Sequence, residues 1–92
     1  MAIFEPPDDA AYLAWLASNP NGYVINAEPG WRGYVLLHCA TCTHMRSRPP
    51  FIGPTYTKYC SDSAAELDAR ALQSRGAAAP RCKARGTGCW LG

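Results

Sequence analysis

Tyr34-Val35-Leu36-Leu37-His38-Cys39-Ala40-Thr41-Cys42 decides how this chain is read. Its first four residues are aliphatic, β-branched or aromatic and read with His38 as a strand, which runs directly into two cysteines. Just upstream, Tyr23-Val24-Ile25-Asn26 is a second such run. Between the two, Ala27-Glu28-Pro29-Gly30-Trp31-Arg32-Gly33 carries the Pro-Gly signature of a turn. The pair is expected to form a β-hairpin with a long loop.

Downstream, residues 45–54 contain Pro49, Pro50, Gly53 and Pro54, so an exposed connection is expected there, with Arg46 and Arg48 on it. Thr55-Tyr56-Thr57-Lys58-Tyr59-Cys60 alternates Thr and Tyr types and reads as a third strand. Ser63 and Glu66 then fit a capping box, Leu67, Ala71 and Leu72 lie near one helical face, and Gly76 is a good left-handed stop. Ala77-Ala78-Ala79-Pro80 breaks the pattern, and the tail from Arg81 to Gly92 is basic without helix or strand periodicity.

Upstream of the hairpin, Pro6-Pro7-Asp8-Asp9 looks like a helix start, because acidic groups suit the unpaired N–H groups there. Tyr12, Leu13, Trp15 and Leu16 supply an apolar face across roughly residues 9–18, and Asn19-Pro20-Asn21-Gly22 ends it. The expected architecture is one α+β domain over residues 1–92. It comprises an N-terminal helix, a three-stranded antiparallel sheet, a second helix and an irregular cysteine-bearing tail.

A 92-residue chain buries a small core, and with 8 Gly and 8 Pro much of it must be turns. Such a domain calls for an added staple, and its 5 cysteines offer one. Disulfides need an oxidising compartment, yet the first residues show no basic start and no apolar run of signal-peptide type. Five is also odd, and no stretch has the length and apolarity of a membrane span. With Met1 as the start, a cytoplasmic chain with structural zinc is the expectation.

Cys39-Ala40-Thr41-Cys42 has the two-residue gap of a zinc knuckle, and Cys82 and Cys89 form a looser pair with six residues between them. Cys60 ends the third expected strand, and His38 and His44 flank the first pair. If residues 34–42 stay extended, His38 and Cys42 share one face and Cys39 takes the other. Cys42 thus belongs either with Cys39 in a knuckle or with His38 along a strand. The expected ligand set is Cys42, Cys60, Cys82 and Cys89, with His38 and Cys39 in reserve. The competing fate of Cys39 and Cys60 is that of small buried hydrophobes. No base–nucleophile pair can be named, and Cys39-x2-Cys42 opens no helix that would activate a thiolate, so an enzyme is not expected.

Charge is uneven along the chain. Residues 1–31 carry four acidic and no basic side chains, whereas residues 32–92 carry nine basic against three acidic. That polarity suits an anionic partner, and Arg46, Arg48, Lys58, Arg81, Lys83 and Arg85 are the expected contacts to nucleic acid, DNA above all. Phe51, Tyr56 or Trp90 would stack on bases. The alternative is a protein-interaction module docking on a larger enzyme or host protein, with Trp31 and Trp90 as exposed anchors.

Gly22-Tyr23-Val24-Ile25-Asn26, Val35-Leu36-Leu37-His38 with Cys42, Thr57-Lys58-Tyr59-Cys60 and a terminal cysteine pair resemble a small bacterial, actinobacterial-type domain found beside or fused to restriction-type or HNH nucleases. The likeness spans roughly residues 9–89. It implies an intracellular accessory module that binds DNA, and it favours His38 and Cys42 over Cys39. The chain departs from the pattern between Cys82 and Cys89, where a two-residue gap would be expected.

Overall fold

The computed structural model describes residues 3–47 and 49–82. Within them the order is α1 (Asp9–Ser18), β1 (Tyr23–Ala27), β2 (Val35–Cys39), β3 (Thr57–Ser61) and α2 (Ala64–Arg75), with single 3-10 turns at Pro29–Trp31 and Thr43–Met45. This is the expected α+β plan, with two helices and one antiparallel three-stranded sheet.

The hairpin forms as its sequence implies, Ile25 opposite Leu37 and Val24 opposite His38. The third strand pairs with the other side of β1, placing Cys60 opposite Val24 and Lys58 opposite Asn26. Strand order is therefore β2-β1-β3, and the first strand is central. Thr55 and Tyr56 precede β3, which runs one residue beyond Cys60.

Alternation divides the sheet into two unlike faces. Ile25, Ala27, Val35, Leu37 and Tyr59 pack on Leu67 and Ala71 of α2. Val24 and Cys60 face the other way, against Tyr12 and Leu16 of α1. Each helix buries an i, i+4 pair, Trp15 packs half-buried against the core, and the remaining apolar members of the expected faces stay outside: Leu13 is 45% and Leu72 55% exposed. Asp8 caps α1 by accepting from the Ala11 N–H at 2.8 Å. Ser63 does the same for α2 through Glu66, and Gly76 ends that helix at φ 77°, a conformation that suits glycine.

Both edges of the sheet are covered by short extended segments. Phe4 exchanges two 2.8 Å backbone hydrogen bonds with Cys60 on the outside of β3. On the outside of β2, Leu37 N–H donates to the Pro80 carbonyl and Cys82 N–H to the Leu37 carbonyl, each at 2.8 Å. Arg81 thus lies parallel to Leu37 and closes the edge that would otherwise invite another strand.

Trp31, a candidate surface anchor by sequence, is fully buried. Its ring meets Tyr59 at a tilt of 59° with centroids 4.9 Å apart, and the Arg70 guanidinium is 5.4 Å from its ring. Its backbone sits at φ 62°, left-handed and costly by roughly 1–2 kcal/mol for a residue with a Cβ. Burying an indole recovers more than that, about 25 cal/mol per Å² of apolar surface. Among the described residues no helix is long and apolar enough to cross a membrane.

The long connection between β2 and β3 is tied to α1. Asp9 Oδ1 accepts from the Phe51 and Ile52 N–H groups at 3.0 and 2.9 Å, and the Tyr12 hydroxyl donates to the Met45 carbonyl at 2.8 Å. Asp9→Ala is expected to cost about 2 kcal/mol, since two hydrogen bonds to a carboxylate vanish. Asp8→Ala removes one exposed cap and should cost about 1 kcal/mol. Urea denaturation of both variants checks the ranking, and an Asp9 variant no weaker than the Asp8 variant would mean the connection is not held there.

Candidate metal centre

Three stretches of chain bring a ligand-bearing side chain to one place. His38 is the fourth residue of β2, and strand alternation turns it toward the α1 side while Leu37 faces α2. Cys42 returns to it through a turn closed by the Cys42 N–H on the Cys39 carbonyl at 3.1 Å, and the Met45 N–H on the Cys42 carbonyl continues it into the 3-10 turn. The chain does not stay extended to residue 42, as one sequence reading supposed. A tight turn carries Cys42 back to His38 instead.

Cys82 arrives from the far end of the described chain. The pairing of residues 80–82 with Leu37 sends Arg81 to the α2 side, where Nη1 and Nη2 meet the two Asp68 oxygens at 2.6 and 2.8 Å. That bond holds the Asp68 carboxyl below its usual range. The next residue, Cys82, must then face the α1 side, beside His38.

The candidate ligand atoms of His38, Cys42 and Cys82 all lie within 4.8 Å of one another, and all three residues are buried. His38 Nδ1 is 3.4 Å from Cys42 Sγ. Tetrahedral zinc with bonds of about 2.05 Å to nitrogen and 2.3 Å to sulfur sets N···S near roughly 3.5 Å and S···S near roughly 3.8 Å. Burial, then the neighbouring His44 and Lys58, push the His38 pKa down to about 4. The imidazole is therefore neutral at physiological pH, which is its ligating form. Its Nε2 is buried and meets no partner among the described residues. These three residues are close enough to hold a metal ion.

The group thus joins two of the four ligands expected from sequence, Cys42 and Cys82, to the reserve His38. Cys89 lies outside the described residues. Cys60 is not in the group: Val24 separates it from His38 across two strand spacings, about 10 Å between backbones. Burial pushes its thiol up to about 12, so it remains protonated in the core. Cys39 is half-buried and outside the group, its Sγ 3.5 Å from Thr41 Oγ1. The four described cysteines form no disulfide.

The expected nucleic-acid contacts fare unevenly. Arg46 is exposed, its Nε donating to the Ala40 carbonyl at 3.3 Å. Lys58 is a correction: it is only 6% exposed, and its ammonium donates to Asn26 Oδ1 and the Phe51 carbonyl. A side chain so placed does not reach a phosphate backbone. Arg81 is engaged by Asp68. Phe51 is buried against Tyr12, whereas Tyr56 is exposed. Arg48, Lys83, Arg85 and Trp90 lie outside the described residues.

The thiols should differ in reactivity. With iodoacetamide near neutral pH, Cys39 of the native protein is expected to alkylate well before Cys60, which should react only once denaturant opens the core. Peptide mapping after timed quenching reads the order, and early labelling of Cys60 would contradict its buried, protonated state.

Comparison with models of protein families, with curated proteins and with solved structures found no match to this chain.

Proposed function

We propose that this chain is a non-enzymatic accessory module in which structural zinc fastens the C-terminal segment to the sheet, so that the segment's cations meet nucleic acid, DNA above all. The observation that carries the metal reading is the convergence of His38, Cys42 and Cys82 from three separate stretches. A neutral imidazole and two thiols are a borderline-soft donor set, the kind that zinc takes in structural sites. Cys89, seven residues past Cys82, supplies the fourth ligand in this reading and closes a Cys3His site. In sequence, Lys83 and Arg85 fall between Cys82 and Cys89. With a ligand at each end, the intervening segment would have fewer conformations to lose on binding, which favours phosphate contacts by its cations.

Metal binding of this kind supplies about 10 kcal/mol or more, comparable with the whole stability of a small domain. Purified protein is expected to carry about one zinc per chain. His38→Asn, Cys42→Ser and Cys82→Ser should each lose it, while Cys39→Ser retains it. Cys60→Ser should lower the melting temperature, because a hydroxyl replaces a buried thiol, yet leave zinc content unchanged. Elemental analysis beside thermal melts tests all five. Stoichiometric zinc in the Cys82 variant, or its loss in the Cys60 variant, would overturn this ligand set.

The nucleic-acid reading rests on Arg46 and on the cations past Cys82. Arg46→Glu, Lys83→Glu and Arg85→Glu together should abolish binding in fluorescence anisotropy without changing the melt. Each lost phosphate contact should flatten the salt dependence by about 0.9 in log K against log salt. A flat titration of the unaltered protein with single- and double-stranded probes at low salt would defeat it. The protein-docking alternative then moves from buried Trp31 to Tyr34 and Tyr56, each 43% exposed and packed edge-to-face at 5.4 Å.

A further inference from the structure

Lys58 has an uncommon position for a cation. It lies on β3, on the sheet face that α1 covers, with its Nζ 5.7 Å from the centre of the Tyr12 ring. At 6% exposure it is nearly closed off from water. Both of its hydrogen-bond acceptors are neutral: Asn26 Oδ1 at 3.1 Å and the Phe51 carbonyl at 2.8 Å. Among the described residues no carboxylate forms an ion pair with it. Asp9 is the acid whose field reaches it, but Asp9 Oδ1 already accepts from the Phe51 and Ile52 N–H groups.

A buried ammonium held only by neutral acceptors carries a large desolvation cost that a counter-charge would offset. Burial lowers its pKa accordingly, while the Asp9 carboxylate acts in the opposite sense. The surroundings leave room for such a charge. Lys58 and both residues that hold its ammonium line a cavity of about 350 Å³, together with His44, Pro54 and Tyr56. The volume falls at the lower end of small-ligand pockets, whose pattern is apolar walls with a few convergent polar groups. Phe51, Pro54 and Tyr56 supply walls, and Lys58 supplies the charge. Asn26 adds a second donor: its oxygen faces the ammonium, and no described residue accepts from its NH2 group. None of the three metal-site residues lines this cavity.

We propose that the cavity binds a small organic carboxylate, its anionic head at the Lys58 ammonium and the Asn26 amide and its apolar body against Phe51, Pro54 and Tyr56. This site shares no residue with the metal centre, although His44 and Met45, in the turn after Cys42, line it. Charge complementarity selects an anion, and the apolar walls select an organic body over a bare inorganic ion.

Benzoate is a suitable probe, with benzamide as its uncharged counterpart of the same shape. In a chemical-shift titration of the purified full chain, benzoate should shift amides lining the cavity and saturate with a Kd on the order of 1 mM, as befits a ligand of this size. Benzamide should bind at least about tenfold more weakly, and inorganic phosphate should not compete. Lys58→Met should fold, since an apolar chain of similar length replaces an unpaired buried charge, and should lose at least about tenfold in benzoate affinity. If that variant does not fold, the benzoate–benzamide comparison on the unaltered chain still decides. Equal binding of benzamide, competition by phosphate, or no saturable shift with benzoate would each overturn the proposal.

Discussion

Two backbone hydrogen bonds at the outer edge of β2, Leu37 N–H to the Pro80 carbonyl and Cys82 N–H to the Leu37 carbonyl, govern where the chemistry of this chain gathers. They add three residues to the sheet in a parallel register that leaves no freedom of side-chain direction. With Arg81 beside Leu37, the guanidinium must go to Asp68 of α2 and the Cys82 thiol must go to His38. A slip of one residue would exchange them, burying a cation against the α1 core and turning a thiol outward. The Arg81–Asp68 pair therefore acts as a register lock for Cys82, a larger role than a surface ion pair has through its own energy.

The faces of the sheet divide the labour. Toward α2 lie Ile25, Ala27, Val35, Leu37, Leu67 and Ala71 around Trp31, an apolar assembly whose stability comes from buried area and close packing. Toward α1 the same sheet presents His38, Lys58 and Cys60, with Cys42 and Cys82 beside His38. A small domain has little surplus stability for buried polar groups, so each needs a compensating contact. Lys58 has two neutral acceptors, Tyr12 has the Met45 carbonyl, and His38 has the Cys42 sulfur. What remains unmatched on the α1 side is the charge of Lys58 and one His38 nitrogen, and on the α2 side the buried Trp31 Nε1 meets no partner among the described residues.

The connection between β2 and β3 links these features. Asp9 holds its Phe51 end by two amide groups, and the Phe51 carbonyl in turn receives the Lys58 ammonium. At its other end Cys42 and the turn after it lie over the sheet, and Met45 accepts from Tyr12. The candidate metal centre and the cavity at Lys58 thus meet along one loop pinned to α1, since His44 and Met45, in the turn after Cys42, line that cavity.

Local patterning determined the elements. The β-branched runs at residues 23–26 and 34–38, the Asp8 and Ser63 caps and the Gly76 stop are short-range signals, and each sits in the structure where its chemistry requires. The pairing of His38 with Cys42 was half legible, since strand periodicity named it as one of two choices; it came about through a turn, which periodicity does not describe. Other features depended on contacts between residues far apart in sequence. That β1 is central, that Cys60 lies two strands from His38, and that Lys58 is buried all follow from β3 pairing with β1, and no local signal reports that choice. Cys82 reaches the centre only because an irregular tail supplies three residues to a sheet edge, where backbone groups do the pairing and side-chain pattern leaves no trace.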